Sequence, residues 1–318
     1  EAAPAATAAP AATAAPAASS SGGATIKVGL EPWIGYGPWW IAKEKGFFAK
    51  HNVNVELVNF TQDAEINAAL AAGQIQAANI ATHTAIRLLN TKTAIKLALL
   101  LDASYQADAI LAGPDIASIA DLKGKSIAYE EGTTSDLLLT YALAQNKLSK
   151  SDITPVFMAA ADAGAALLAK QVPVAVTYEP YITTTLGSNK GYRILYSGKD
   201  RPGLISDFLV VREDALSANG DAFKNMLAAW GDAVAFLNSN PQEGQAIIAQ
   251  NVGAKPDELT TAFAGVKIYS LDENKQLFSS GDINTIFNDV GATFKTMEPD
   301  QVKAIPDPKT VITDAALR

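Results

Sequence analysis

The stretch "TIKVGLEPWIGYGPWWIAKEKGFFAKHNVNVELVNF", residues 25–60, decides the fold. It begins with a β-branched strand, continues into a short amphipathic helix that stops at Gly46, and ends in a second strand at 53–60. Strands and helices go on alternating along the chain, which is typical of βαβ units and largely parallel sheets. Because the pattern restarts at 107–130, we expect two sheets rather than one. Beyond residue 214 we expect helices only.

Composition narrows the classes of function. The chain has 318 residues, of which 48% are hydrophobic and 18% charged, enough for a core and for two lobes. A net charge of −8 without a basic patch argues against nucleic acid as a partner. The absence of cysteine excludes disulfides, thiolate zinc sites and cysteine nucleophiles. No apolar run approaches the length of about 18 residues that spans a membrane.

The N-terminal segment differs from the rest. It repeats AAPAAT, AAPAAT and AAPAAS, so proline regularly breaks any alanine helix. Without large apolar side chains it cannot bury enough surface to fold, and we expect residues 1–23 to be a disordered linker. Such a linker suggests a lipid anchor just upstream of Glu1, which would be the one contact with a membrane. A tail without a role is the alternative.

Aromatic side chains concentrate in the first loop. The Gly35–Tyr36–Gly37–Pro38 bend argues that Trp33, Tyr36 and Trp39 are displayed at a cleft, whereas Trp40 should enter the core beside Ile41. Displayed rings can stack on a flat group or contact a cation through their faces. Core packing is the alternative for each ring.

Acidic residues stand at the ends of predicted strands: Asp102, Asp108, Glu179 and Asp207. Carboxylates at such positions often cap helices or fix hinge strands, which is the alternative for each of them. Together with aromatic walls they favour a cationic or amino-bearing ligand, because a buried charge must be paired. Tyr105 and Tyr178 flank two of these positions and could complete an aromatic box, with core packing as an equal alternative.

Two further segments carry polar candidates. In "EGTTSD" (131–136), Thr134 and Ser135 open a helix whose backbone N–H groups could hold an anion, although plain capping explains them as well. Neighbouring carboxylates oppose an anion there, so a zwitterion stays open. In "ATHTA" (81–85), Thr82 and His83 follow a strand end, although lone histidines are more often structural.

Several segments, taken in order, resemble substrate-binding proteins of ABC importers for nitrate, sulfonates, taurine and thiamine precursors. They include "IKVGL", "GFFAKHNVNVELV", "AALAAGQIQAANIA", "DLKGKSIAYEEGTTSDLLL" and "VAVTYEPYITT", and the likeness covers about residues 25–240. The first loop, the Ser–Asp pair of "TTSD" and the Ile–x–Asp segment at 205–207 also resemble the urea- or guanidine-associated branch. Glu179–Pro180–Tyr181 departs from that branch.

The resemblance implies a type II periplasmic-binding-protein fold, α/β, with two mainly parallel sheets in two lobes and a hinge of two crossing strands. Lobe one would comprise 24–105 and 208–318, and lobe two 106–207. The ligand would sit in the cleft, where the four acidic positions and the Thr82 loop coincide with the family's ligand loops. It also implies a periplasmic or cell-surface monomer that passes its solute to a permease with an ATPase.

The expected function is capture, without turnover, of a small polar solute that is cationic, amino-bearing or guanidino- or urea-like. Alternatives are a sulfonate, taurine or another anion or zwitterion, a pyrimidine precursor, or a binding module coupled to a sensor. A pyrimidine-precursor synthase of related fold would need histidine and iron-dependent chemistry. The chain has only His51 and His83 and shows no histidine-rich stretch. No enzyme activity, cofactor or metal is therefore expected.

Overall fold

A computed structural model of the chain describes residues 24–188, 190–260 and 262–318. The predicted linker at 1–23 and its lipid anchor lie outside these residues. The strands in chain order are β1 Ile26–Leu30, β2 Val55–Asn59, β3 Ala77–Ala81, β4 Ile95–Ser104, β5 Asp108–Ala112, β6 Ser126–Tyr129, β7 Thr154–Phe157, β8 Val174–Tyr178, β9 Arg193–Ser197, β10 Ser206–Arg212 and β11 Val266–Ile268.

Helices cover both sheets. They are α1 Gly37–Glu44, α2 Phe47–Lys50, α3 Asp63–Ala71, α4 Thr82–Asn90, α5 Thr134–Gln145, α6 Ala160–Leu168, α7 Tyr181–Gly187, α8 Glu213–Ala218, α9 Gly220–Ser239, α10 Pro241–Asn251, α11 Leu271–Ser280, α12 Asp282–Met297 and α13 Pro308–Val311. Within the described residues, none combines the length and the apolar character needed to cross a membrane.

The strands form two sheets, which confirms the predicted α/β architecture. The first sheet has the order β11-β4-β10-β3-β1-β2 and the second the order β7-β6-β8-β5-β9. Strand β1 pairs in parallel with β2 and β3, and β6 pairs in parallel with β7 and β8. Strands β10 and β5 are antiparallel to their neighbours. Both sheets are therefore mixed rather than mainly parallel.

The chain crosses between the sheets twice, from β4 to β5 and from β9 to β10. Strands that return across such a crossing enter the neighbouring sheet in the reverse direction, which explains the antiparallel pairs. We call residues 24–104 together with 206–318 the first-sheet half, and residues 105–205 the second-sheet half. The predicted lobe boundaries at 105/106 and 207/208 stay predictions.

Two details differ from the sequence-based expectation. Only helices were expected beyond residue 214, but strand β11 lies there. It is only three residues long, which is enough to pair with the edge of β4 but too short to stand out as a strand in the sequence. The buried core is also shared between the halves. One apolar cluster joins Leu97 and Phe208 of the first sheet to Ile110 and Val176 of the second. The two halves are thus packed against each other in a closed arrangement.

Candidate functional site

A small cavity lies between the halves at the edge where the strand ends meet. Its volume is about 30 Å³, which is room for about two water-sized groups. Residues from both halves form its wall: Glu31, Trp33, Tyr36, Asp63, Ala81, Asp108, Thr134, Tyr178, Ile205 and Asp207. A cleft of this kind, beyond the carboxyl ends of the parallel strands, is the usual ligand site of open α/β sheets.

Strand ends place the wall residues. In the first-sheet half, Glu31 follows β1 directly, Ala81 ends β3, and Asp207 is the second residue of β10. In the second-sheet half, Asp108 begins β5 and Tyr178 ends β8. Because these ends point to one edge, residues far apart in sequence converge on a single cavity.

Aromatic donors hold two of the nearby carboxylates. The Trp33 indole Nε1–H donates to both carboxylate oxygens of Asp102, at 3.2 Å each. The Tyr36 hydroxyl donates to Asp207 Oδ2 at 3.2 Å. The Trp33 ring also meets the Tyr178 ring edge-on, with centroids 5.8 Å apart, and this contact joins the two halves. The rings therefore act as hydrogen-bond donors as well as apolar wall.

Gly35 is needed for the indole–carboxylate pair. A Cβ added to Gly35 would overlap Asp102 Oδ2 and Trp33 Nε1. We expect Gly35→Ala to push the indole off Asp102, to lower the free energy of unfolding by about 1–3 kcal/mol, and to weaken solute binding. Calorimetry and a binding titration would measure both effects. Gly220→Ala is the matched control because its Cβ would meet open space; equal behaviour of the two variants would refute the role of Gly35.

The cavity is strongly acidic. Four carboxylates line it, and its described wall residues include no lysine, arginine or histidine. Burial, reinforced by nearby acidic groups, raises the pKa of Asp63 to about 7 and that of Asp108 also to about 7. Burial likewise raises the pKa of Glu31 and of Asp207 well above the usual range. Because the cavity wall holds no counter-ion, these carboxylates are partly protonated near pH 7, and a bound cation would stabilise their ionised forms.

Glu31 is the clearest sign of a missing partner. Its Oε1 atom is buried and, within the described part of the chain, has no hydrogen-bond partner. Buried carboxylate oxygens are normally hydrogen-bonded, because burying one alone costs free energy. Among the described residues there is also no group of three or more His, Asp or Glu arranged to hold a metal ion.

Six of the sequence-predicted site residues line the cavity: Trp33, Tyr36, Asp108, Thr134, Tyr178 and Asp207. Asp102 lies behind Trp33 and is fully buried, so it supports the wall rather than forming it. The assignment of these residues to ligand binding stays a prediction.

The expectation for Trp39 is corrected. Trp39 is fully buried, its ring centroid lies 4.7 Å from that of Trp230, and its indole donates to Asn79 Oδ1 at 3.3 Å. The reason is local: Pro38 stands in the first turn of α1, so the predicted display loop is a helix start and the third helical residue turns inward. Trp40 enters the core, as predicted.

Three polar predictions prove to be structural contacts. The Thr82 hydroxyl contacts the Ser206 backbone oxygen at 2.8 Å and ties α4 to β10. His83 packs against the edge of Phe294, and burial lowers its pKa to about 3, so it is neutral. Glu179 accepts hydrogen bonds from the backbone N–H and hydroxyl of Thr183, both at 3.0 Å. It therefore caps α7, which was the alternative for that carboxylate.

Two more predicted residues lie off the wall. Ser135 is buried one position beyond Thr134, and its N–H donates to Thr133 Oγ1 at 3.3 Å, so it takes part in capping α5. Tyr105 is 37% exposed on the outer surface, where the chain leaves β4, and cannot close an aromatic box.

The sequence reasoning missed Glu31 and Asp63 as site residues. Glu31 could have been found, because it directly follows a predicted strand, a position comparable to that of Asp102 at the end of another. Asp63 stands at the start of α3 and is normally interpreted as a helix-capping acid. Only the three-dimensional fold shows that this helix start faces the cavity.

The chain is similar in sequence to a protein family and to several known proteins. A family model described as NMT1-like family matches residues 20–253. A Brucella abortus (strain 2308) protein, named as a binding protein, is 26% identical over 271 residues, 85% of this chain and 83% of that protein. An Escherichia coli (strain K12) protein, named for binding aliphatic sulfonates, is 33% identical over 138 residues, 43% of each chain.

Solved structures agree on the fold. The alkanesulfonate-binding protein of Xanthomonas axonopodis pv. citri, bound to MOPS, superposes with a TM-score of 0.77 at 19% identity. The match covers 92% of this chain and 98% of that one. At this identity the likeness confirms the two-lobed binding-protein architecture alone.

Proposed function

The chain belongs to the NMT1-like family and is a solute-binding protein of the ABC-importer type rather than an enzyme, and on this premise we propose that its solute is a small cation. The acidic cavity carries the proposal. Four carboxylates line it without a counter-ion among the wall residues, one of them has an unpaired buried oxygen, and a bound cation would pair with their ionised forms.

Size and ring chemistry narrow the solute further. A cavity of about 30 Å³ accepts a head group of only a few heavy atoms. A planar guanidinium or amidinium donates paired N–H groups that match carboxylates in two-point contacts, and it is less strongly hydrated than ammonium. Trp33 and Tyr178 offer ring surface for a cation, worth about 0.5–2 kcal/mol per ring when desolvated. A guanidino- or amino-bearing solute fits these features best.

Capture proceeds by closure of the hinge. The solute would first meet Trp33, Glu31 and Asp63 on the first-sheet half, then gain Asp108, Thr134 and Tyr178 when the second-sheet half closes. Only the contacts added in the closed state favour closure. The closed protein then docks on a permease with its ATPase and works outside the cytoplasm as a monomer.

A sulfonate is the second candidate, because the E. coli relative and the Xanthomonas structure are named for sulfonates. An anion in this cavity would face four carboxylates and find its donors at Thr134 and the start of α5. The ionised carboxylates would repel its charge, and a buried site screens such repulsion only weakly. We therefore expect sulfonates to bind far more weakly than a matched cation.

A thermal-shift panel tests the proposal. It would compare guanidinium, methylguanidine, acetamidine and methylammonium chlorides with taurine, ethanesulfonate, nitrate and urea. All would be used at sub-millimolar concentration, where guanidinium does not denature. A bound cation at a hundredfold excess over Kd should stabilise by about 2.7 kcal/mol. Stabilisation by the anions alone would overturn the cation assignment.

Affinity for the solute should rise with pH through about 7. Asp63 and Asp108 each have a pKa of about 7 and must be ionised to pair with a cation. Each carboxylate that has to lose a proton costs about tenfold in affinity per pH unit below 7. The ligand-free protein should respond in the opposite direction, becoming more stable as protonation removes buried charge. Titrations across this range would check both trends, and a pH-independent Kd would contradict them.

A further inference from the structure

A closed ring of polar contacts joins the halves outside the cavity. On one side, Arg87 Nη1 donates to the Gly132 backbone oxygen at 2.6 Å, and the Gly132 N–H donates to Asp136 Oδ2 at 2.9 Å. Lys150 Nζ then lies 2.7 Å from Asp136 Oδ1. This part of the ring leads from α4, in the first-sheet half, through the start of α5, in the second-sheet half.

The ring returns to Arg87 through the segment after α12. Lys150 Nζ lies 2.8 Å from Glu298 Oε1, and Gln301 Nε2 donates to Glu298 Oε2 at 3.4 Å. Arg87 Nη1 also donates to Gln301 Oε1 at 3.4 Å. We call these six residues the clasp. Two of its contacts cross between the halves: Arg87 to Gly132, and Lys150 to Glu298.

The clasp is partly shielded from water. The Asp136 side chain is 5% exposed, that of Glu298 22% and that of Lys150 33%. Partial burial opposes the charged amine, but hydrogen bonds to Asp136 and Glu298 raise the pKa of Lys150, so it stays charged. A shielded network of this kind holds its geometry better than an isolated surface pair, which contributes little to stability.

The clasp acts on the cavity through one loop. Gly132 has a φ of +74°, and Thr134, two residues later, lines the cavity. A Cβ on Gly132 would come within 2.5 Å of Arg87 Nη1, so arginine fits closely over this backbone. The clasp residues are not among the cavity wall residues. They can influence the solute by placing the loop and holding the halves together, and the charge of Arg87 also lowers the pKa of the wall residue Asp63.

We propose that Arg87 and Lys150 are positioning residues of the binding site, which clamp the segment 131–136, at the start of α5, to the first-sheet half and set the balance between open and closed protein. The inference rests on the proposed capture by hinge closure. A ligand that binds only the closed state has an apparent affinity reduced by the fraction of protein that is closed. Loss of the clasp should therefore weaken binding without removing any contact to the solute.

Lys150→Met tests this, because it keeps the apolar stem and removes the charge. Lys123→Met is the matched control, since Lys123 pairs with Asp152 inside the second-sheet half, at 3.6 Å. The chain contains no cysteine, so one spin label can be placed in each half at introduced cysteines. In ligand-free protein we expect Lys150→Met to shift the label distances toward longer values, and Lys123→Met to leave them unchanged.

Binding of guanidinium provides the second readout. Lys150→Met should raise Kd about three- to tenfold, mainly through faster dissociation, while the unfolding temperature of the ligand-free protein changes little. Glu298→Gln should act in the same direction and add little in the double variant. Unchanged label distances in Lys150→Met overturn the clasp whatever the solute is. Absence of guanidinium binding to the unsubstituted protein refutes the proposed solute but leaves the distance experiment valid.

Discussion

Replacing Glu31 by glutamine should nearly abolish binding of the cationic solute while leaving the protein folded. Glutamine keeps the shape of the side chain but removes the negative charge from a buried carboxylate with an unpaired Oε1. Loss of one partner from a buried charge pair costs about 2–5 kcal/mol, so we expect Kd to rise about a hundredfold. Isothermal titration with guanidinium or methylguanidine would measure the change.

Glu31→Gln should also change the stability of the ligand-free protein. Because burial and neighbouring carboxylates raise the pKa of Glu31, its ionised form is unfavourable in the empty cavity. Glu31→Gln should therefore raise the unfolding temperature of ligand-free protein above neutral pH. Glu131→Gln removes the same charge from an exposed position and should change neither property. Full affinity in Glu31→Gln would exclude Glu31 from the cation site.

Among alanine substitutions of the predicted first-loop site aromatics Trp33, Tyr36 and Trp39, Trp39→Ala should cause the largest loss of stability. The Trp39 side chain is fully buried between Trp230 and Phe48, and its deletion leaves a cavity in the first-sheet half. Substitutions of this kind cost about 3–5 kcal/mol. Differential scanning calorimetry is the suitable measurement, because guanidinium as a denaturant would also be the proposed ligand.

Trp33→Ala is the informative comparison for Trp39→Ala. Trp33 lines the cavity, so its loss should weaken solute binding about two- to thirtyfold through lost ring contact. Its cost in stability should be smaller than that of Trp39→Ala. A Trp39→Ala protein that keeps its unfolding temperature but loses binding would reverse the two roles and contradict the structure.

Much of the fold could be predicted, because the patterns that specify its strands and helices lie within short segments of the sequence. Two sheets could be predicted without knowledge of their contacts. The prediction rested on the β-branched strand before the first loop and on the restart of the strand–helix alternation near residue 107. Three of the cavity carboxylates show where this reasoning ends. Asp108 and Asp207 stand beside strands and were identified, whereas Asp63 stands at a helix start. Sequence spacing alone could not show that this helix start faces the strand ends.

The aromatic loop shows a second limit. Trp33 and Trp39 both follow the first strand, and glycine and proline between them are compatible with either a display loop or a helix start. The outcome depends on Pro38 entering the first turn of α1, which directs Trp39 to the core. Glu179 is a similar case, because an acidic residue after a strand can either face a ligand or cap the next helix. Its hydrogen bond from the Thr183 N–H shows that it caps the helix.

The most direct test of a cation held by buried carboxylates is the number of protons exchanged on binding. Isothermal titration of guanidinium near pH 7, repeated in two buffers with different ionisation enthalpies, measures that number. Because Asp63 and Asp108 have pKa values of about 7 in the empty cavity, binding a cation should release protons to the buffer. Proton uptake, or tight binding of ethanesulfonate in place of guanidinium, would contradict the account.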